Sequence, residues 1–385
     1  MAERKGDKKT TGARIRAGLK GRKSADRRKD VFPFIRLLAA IGISFLIITV
    51  IVVTVSKNPA NALNKLFLGP VATPRSFIDV FSYMVPLVFT GLAMNIALKS
   101  GLFNMGADGS FYMGAVVAAI MAVLMTLPGG LFQLLIIVCA ALIGGCINII
   151  PALIRRYMGA NEVVISLMFN FIFFYFGLFL MQRTVLDTTT GNQSLPFNPA
   201  AKIPKIFPQY SIHWGIVVML VMVAVMYFVV ERSSFGYQLR ITGLNRSFAR
   251  YSGVKVGLIV LVSQFVGGAL AGMGGSIQML GMFNRFNWNL QVMYVWDGML
   301  VNILAGGKPG FVLVAAFFLS YLRIGADVMA RNSDVDNTLI SIIQGVIILL
   351  VSSERFLYGM KRRRDEKIAL ENVMIEERKA EMTEG

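Results

Sequence analysis

Asn104 and Asp108 stand in a Gly-rich polar stretch, GLFNMGADGSFYMG, which runs from Gly101 to Gly114 between two apolar runs. An amide and a carboxylate at this spacing can pair the hydroxyls of a neutral polar ligand, and Gly101, Gly106 and Gly109 free the backbone around them. A bilayer tolerates irregular backbone only where protein buries it or where it lines a wet cavity. Interrupted helices of that kind hold or pass the substrate in many transporters. An ordinary short loop between two spanning helices is the alternative reading of the same residues.

Polar residues inside apolar runs are costly and point to function. Asn95, Asn170, Gln264, Gln278, Asp297 and Asn302 are of this kind. Asp297 lies in VMYVWDGMLVN between Trp296 and Gly298, where it serves either as a pathway residue or as a structural acid bonded to a neighbouring helix. The amides more commonly bond helix to helix. Phe103, Tyr112, Tyr294 and Trp296 offer faces on which a flat ring could stack. Nucleosides and sugars both suit a pocket of this make-up, so the residues alone leave the ligand open. The pathway set is therefore Asn95, Phe103, Asn104, Asp108, Tyr112, Asn170, Gln278, Trp296, Asp297 and Asn302.

Other chemistry finds little support. No GxxxxGK[ST] loop is present to cradle nucleotide phosphates, and GGKPG at Gly306 to Gly310 lacks the Ser or Thr. One histidine, His213, with no Cys or Glu cluster argues against metal catalysis, so no catalytic or metal-binding residue is expected. Cys139 and Cys146 share one apolar run and read as packing residues.

Hydrophobic residues make up 55% of the 385 and charged residues 16%, and the mean hydropathy is +0.63. Soluble chains carry about 25% charge, so the sequence describes an all-α polytopic membrane protein. The net charge of +18 sits at the edges: residues 1–30 hold 12 Lys or Arg against 4 acids, and KRRR covers Lys361 to Arg364. Basic flanks of this kind stay on the cytoplasmic side and touch anionic lipid, which excludes nucleic acid as the partner.

About ten spans are expected, near 34–55, 77–98, 110–127, 131–153, 162–182, 212–230, 256–280, 291–306, 310–326 and 338–356, with a discontinuous helix near 101–109. Placing the N-terminus inside puts 30 of the 39 basic residues on the inner side. Both termini are then cytoplasmic. The organisation is a basic tail (1–33), a transmembrane domain (34–356) and a charged tail (357–385). Spans two to five and seven to ten have the layout of an inverted repeat. Two connections are long. The outer one, 183–213, reads as a lid, a docking surface or a linker. The inner one, 231–255, carries a short helix capped by Asn245 and ended by Gly253, suited either to lipid headgroups or to a cytoplasmic partner.

Three stretches resemble one family. GLFNMGADGSFYMGA (Gly101 to Ala115), LRITGLNRSFARYSGV (Leu239 to Val254) and FFLSYLRIGADVM followed by SIIQGVIILLVSSERF are similar to the permease subunits of bacterial ABC importers of the branched-chain amino acid, ribose and nucleoside group. The closest likeness is to the nucleoside branch, which works with a Bmp-type lipoprotein. Asp108, Ser110 and Phe248 depart from the usual Glu, Gln and Ala of that pattern, and LVNILAGGKPG departs from its usual counterpart.

The resemblance implies a multi-pass permease of the bacterial cytoplasmic membrane that translocates nucleosides, with simple sugars as the runner-up. It implies a second, non-identical permease subunit, a substrate-binding lipoprotein, and an ATPase subunit that holds the ATP, leaving this chain without a cofactor. Gly243, Asn245, Phe248, Ala249, Arg250, Tyr251 and Gly253 would dock the ATPase. Two other classes stay open: an ion-coupled transporter using Asp297 or Asp108, and a scaffold subunit without transport of its own.

Overall fold

Asn58 and Thr73 each accept a backbone N–H from the turn that follows, and each is succeeded by a proline, the residue best suited to a helix's first position. These caps start α1 (Pro59–Ala72) and α2 (Pro74–Lys99) in a computed structural model that describes residues 46, 49–50, 52–54, 56–189, 191 and 193–333. The chain then forms α3 (Ala107–Leu124), α4 (Gly129–Met158) and α5 (Glu162–Thr184). Gly159, at φ 66°, ends α4 in the left-handed conformation, and Asn161 caps α5. α6 (Gly215–Tyr227) runs on through a π turn at Phe228–Arg232. The short helices α7 (Ser234–Leu244) and α8 (Arg246–Tyr251) lead into α9 (Val256–Met282), α10 (Tyr294–Leu304) and α11 (Pro309–Asn332).

Among the described residues, seven helices are long and apolar enough to cross a membrane: α2, α3, α4, α5, α6 with its π turn, α9 and α11. They coincide with seven of the ten expected spans. The expected span 291–306 is only α10, whose 11 residues rise about 16 Å, roughly half the about 30 Å apolar core of a bilayer. Met293, at φ 49°, stops the helix from starting earlier. The expected span 34–55 lies mostly, and the span 338–356 wholly, outside the described residues, as do the basic tail 1–33, the tail 357–385 and the stretch SIIQGVIILLVSSERF. α1 occupies a connection in which no helix was expected.

The described residues from 52 to 333 belong to one unit, and α9 is its axis. α9 packs on α2, α3 and α4, while α2 packs on α9, α10 and α11. This exchange is what two repeats give when α2–α3–α4 corresponds to α9–α10–α11. Each half has a long helix, a break (100–106 or 283–293), a shorter helix and another long one. The partner of α5 in that scheme, 338–356, falls outside the described residues.

The stripe GGALAGMGG on α9 lets backbones touch. A Cβ on Gly272 would fall 2.3 Å from the Ala140 carbonyl oxygen, and one on Gly268 would fall 2.3 Å from that of Gly144. Gly268 and Gly272 thus face Ala140 and Gly144, a small-residue spacing on both helices that drives close packing where lipid gives no hydrophobic push. Gly275 meets the Phe111 carbonyl on α3 as closely.

The connection between α5 and α6 lies against the second break. The N–H groups of Ser194 and Phe197 donate to the carbonyls of Phe286 and Asn284, each at 3.0 Å, and Ile203 N–H donates to Leu280. Asp187 pairs with Arg285 at 2.5 Å, and bonds from Thr189 first, then Arg285, hold its carboxyl well below the usual range. His213 is buried, its Nδ1 accepting from Gly215 N–H at 3.1 Å while Nε2 has no partner. Burial first, then the nearby Lys205, lowers its pKa to about 4.

Two outcomes are expected. Gly272→Ala should lower the melting temperature of the detergent-purified chain, since overpacking costs about 1–3 kcal/mol. Gly310→Ala, whose new Cβ meets nothing nearer than 3.7 Å, should not; equal melting temperatures would contradict the packing account. Because the folded pKa of His213 lies below the unfolded value of about 6.5, the stability it confers is present above that pH and is lost as pH falls toward 4. Proteolysis of 185–213 should therefore rise between pH 7 and pH 4.5. His213→Gln should flatten that rise, and a rise unchanged in the variant would contradict it.

Candidate functional site

The first break exposes backbone groups that side chains from three helices must satisfy. α2 ends as the Ser100 hydroxyl donates to the Ala97 carbonyl at 2.6 Å, and Gly101 turns the chain at φ +74°. Asn104 Oδ1 then accepts from Gly106 N–H at 2.8 Å and starts α3. From α5, Glu162 accepts from Phe103 N–H at 2.9 Å, and Ser166 accepts from Met105 N–H at 3.1 Å. Asn170 donates to the Met105 carbonyl and accepts from Gly109 N–H, both at 2.9 Å. The Asn104 amide donates to Asn148 on α4 at 3.0 Å and to Gln264 on α9 at 2.9 Å. Asn104 and Asn170 are thus committed to the frame of the break.

The loop helices α7 and α8 clamp the shoulder of this break. Gly243 lies against Lys99, where a Cβ would fall 2.2 Å from the carbonyl oxygen. The Arg246 guanidinium donates to the Gly101 carbonyl at 2.9 Å. Lys99 pairs with Glu231 at 2.9 Å, and Gln264 donates to Ser100 Oγ at 3.2 Å. Asn245 caps α8 by accepting from Phe248 N–H at 3.0 Å, and Gly253, at φ +80°, ends the turn that follows. Ala249 is buried, whereas Phe248, Arg250 and Tyr251 project outward, Tyr251 being 93% exposed.

The N-termini of α3 and α10 meet. The Val295 backbone bonds the Asp108 carboxylate, and Asp108 Oδ1 is left without a partner. Asp297 pairs with Arg323 of α11 at 3.0 Å. That guanidinium lies 5.4 Å from the Tyr83 ring centroid, and Tyr83 lies 5.9 Å from Tyr294. Tyr294 continues to Phe111 at 5.1 Å, and Phe111 stacks on Trp288 at 5.9 Å with 13° between planes. The Tyr112 hydroxyl donates to the Trp288 carbonyl at 3.0 Å. Gln278 bonds Tyr294, and its Oε1 has no partner. Asn95 donates to Asn302 at 2.7 Å, tying α2 to α10.

The structure brings together Asp108, Tyr112, Asn170 and, through Tyr294, Gln278. It leaves Phe103 and Trp296 outside the ring cluster, 38% and 40% exposed. Trp288, Tyr83, Arg246 and Arg323 were not singled out from the sequence. Arg323 had a usable signal, since an acid inside an apolar run, such as Asp297, calls for a cation. Trp288 had none, because its NWN surroundings read as a polar loop.

Long apolar helices, broken twice and joined where the breaks meet, define a multi-pass membrane permease. The chain belongs to the family described as the permease component of branched-chain amino acid transport systems, whose model matches residues 76–352. It is 26% identical over 336 residues to the nucleoside ABC transporter permease protein NupB of Lactococcus lactis, covering 84% of this chain and 91% of that one. It is 28% identical over 293 residues to the guanosine ABC transporter permease protein NupP of Bacillus subtilis, covering 74% and 84%. The glucose ABC transporter permease protein TsgB13 of Haloferax volcanii is 28% identical over 337 residues, covering 84% and 87%. The chain is therefore an ABC importer permease, not an enzyme, and its family implies an ATPase partner that hydrolyses the ATP.

Gly243→Val should force α7 away from Lys99 and lower uptake by the importer about fivefold or more, the scale of a lost coupling free energy, at unchanged membrane abundance. Leu244→Val, at a position 86% exposed, should leave uptake intact. Equal activity in the two variants would contradict the clamp.

Proposed function

We propose that this chain is the nucleoside-translocating subunit of an ATP-driven importer. The observation that carries the reading is its likeness, over most of both chains, to permeases named for nucleosides and guanosine. The ring cluster of Phe111, Trp288 and Tyr294 beside Asp108 and Gln278 supports it, since bases stack and hydroxyls pair with acids and amides. The likeness to a glucose permease keeps simple sugars as the second reading.

In this account the chain sits in a bacterial cytoplasmic membrane with both termini inside, its basic flanks against lipid. A second, non-identical permease subunit faces it. A substrate-binding lipoprotein delivers the ligand from outside, where the connection 183–213 lies over the second break. The ATPase docks on α8 through Asn245, Phe248, Arg250 and Tyr251, with Gly243, Ala249 and Gly253 shaping the loop. Asn95, Asn104, Asn170 and Asn302 frame the pathway by holding its helices. Asp108, Tyr112 and Gln278 lie at its centre, with Phe103, Trp296 and Asp297 along its flanks. ATP-driven closure biases the shoulder at Lys99 to Gly101, and through it the start of α3.

Uptake of radiolabelled uridine, adenosine and ribose, with and without this gene, tests the reading. Gene-dependent nucleoside uptake that stops on ATP depletion and survives a protonophore is expected. Loss of ribose uptake alone would favour the sugar reading, and uptake that follows the proton gradient would overturn the ATP-driven one.

A further inference from the structure

Three buried polar side chains, Glu162, Ser166 and Asn170, stand about one turn apart on the face of α5 that meets the first break. In turn they accept from the backbone N–H groups of Phe103, Met105 and Gly109. The opposite face of α5 leaves Met168, Phe171, Tyr175 and Phe179 exposed. The polar bonds that tie α5 to the break therefore lie along one row. Where that row holds, α5 follows the break.

Glu162 is the charged member of the row. Asn161 already caps α5 by accepting from Val163 N–H at 3.0 Å, so the helix does not need the Glu162 carboxylate as its cap. A buried acid without a cation is costly, and Arg155, in the last turn of α4, pairs with Oε2. Oε1 is left to accept from Phe103 N–H at 2.9 Å. Two residues back, the Gly101 carbonyl accepts from Arg246 of α8. Arg155 and Arg246 stand close enough for their charges to repel. Charged side chains from the α4–α5 turn and from α8 thus hold the break at points two residues apart, a reach of at most about 7 Å. Leu102, between them, is buried. A displacement of α8 that moves Gly101 must therefore move Phe103 too, or break its bond to Glu162.

We propose that Glu162, fixed by Arg155, is the positioning residue that hands a movement of α8 from the first break to α5. Ser166 and Asn170 carry the same movement further along the helix. Hydrogen-bonded chains between packed elements are what carries such coupling. The proposal rests on the reading that the ATPase docks on α8, and adds α5 as the element that docking moves.

The test is hydrogen–deuterium exchange of the assembled importer with and without a non-hydrolysable ATP analogue, in the unaltered chain, in Glu162→Ala and in Glu162→Gln. In the unaltered chain, exchange in 99–103 and in 162–170 should both change with nucleotide. Glu162→Ala should keep the change in 99–103 and lose the one in 162–170. Glu162→Gln retains an oxygen for Phe103 N–H and should restore it. A role confined to stability would instead alter 162–170 equally with and without nucleotide, and that result would overturn the proposal. So would a nucleotide response in 162–170 that survives Glu162→Ala, or one missing from the unaltered importer while 99–103 responds. Should Glu162→Ala not assemble, Arg155→Gln, which frees the carboxylate but leaves its bond to Phe103, should weaken the response in 162–170, and a full response there would count against the proposal. Silence in both 99–103 and 239–246 would overturn the docking reading, and this proposal with it.

Discussion

A backbone N–H or carbonyl left bare in lipid costs several kcal/mol, and this chain breaks its helices twice between apolar runs. Everything near the first break follows from meeting that cost. Asn104, Asn148, Asn170 and Gln264 come from four elements, and most of their amide atoms are used on backbone or on each other. Because those partners sit on α4, α5 and α9, the break cannot shift without a response from three helices.

Such a network needs helices close enough for short side chains to reach across. Glycine and alanine provide that closeness: the approach of Gly268 and Gly272 to Gly144 and Ala140 brings α9 against α4, and Asn148 can then donate to the Gln264 carbonyl at 2.8 Å. The second contribution comes from the shoulder at Lys99 to Gly101, where Gly243 and Arg246 touch the same few residues that the amides hold from the other side. A push on α8 therefore reaches Asp108 through about two turns of chain rather than through a side-chain relay. That directness suits an importer whose energy source is on another subunit.

Much of this was legible in the sequence. Apolar run length located the seven long helices within a few residues, and Gly101 to Gly114 announced the break through its composition. The cap of α8 was readable from Asn245, and the close packing of GGALAGMGG from its small residues. What failed had physical reasons. Residues 291–306 had the hydropathy of a span, but Met293 in the left-handed region and the polar NWN stretch before it leave α10 only 11 residues. The amides at 104 and 170 bond the backbone of the break, a use that a sequence does not show because it does not say which backbone groups will need them. Trp296 and Trp288 are eight residues apart, and only the fold decides which of them stacks on Phe111. Arg323 pairs with Asp297 across 26 residues, a distance that periodicity does not bridge.

The central claim is that the α7–α8 loop and the first break move as one body. Hydrogen–deuterium exchange of the assembled importer, with and without a non-hydrolysable ATP analogue, tests it most directly. The account predicts that exchange in 99–110 and in 239–246 changes together, in the same nucleotide state and with the same time course. A change confined to 239–246, with 99–110 protected equally in both states, would contradict it.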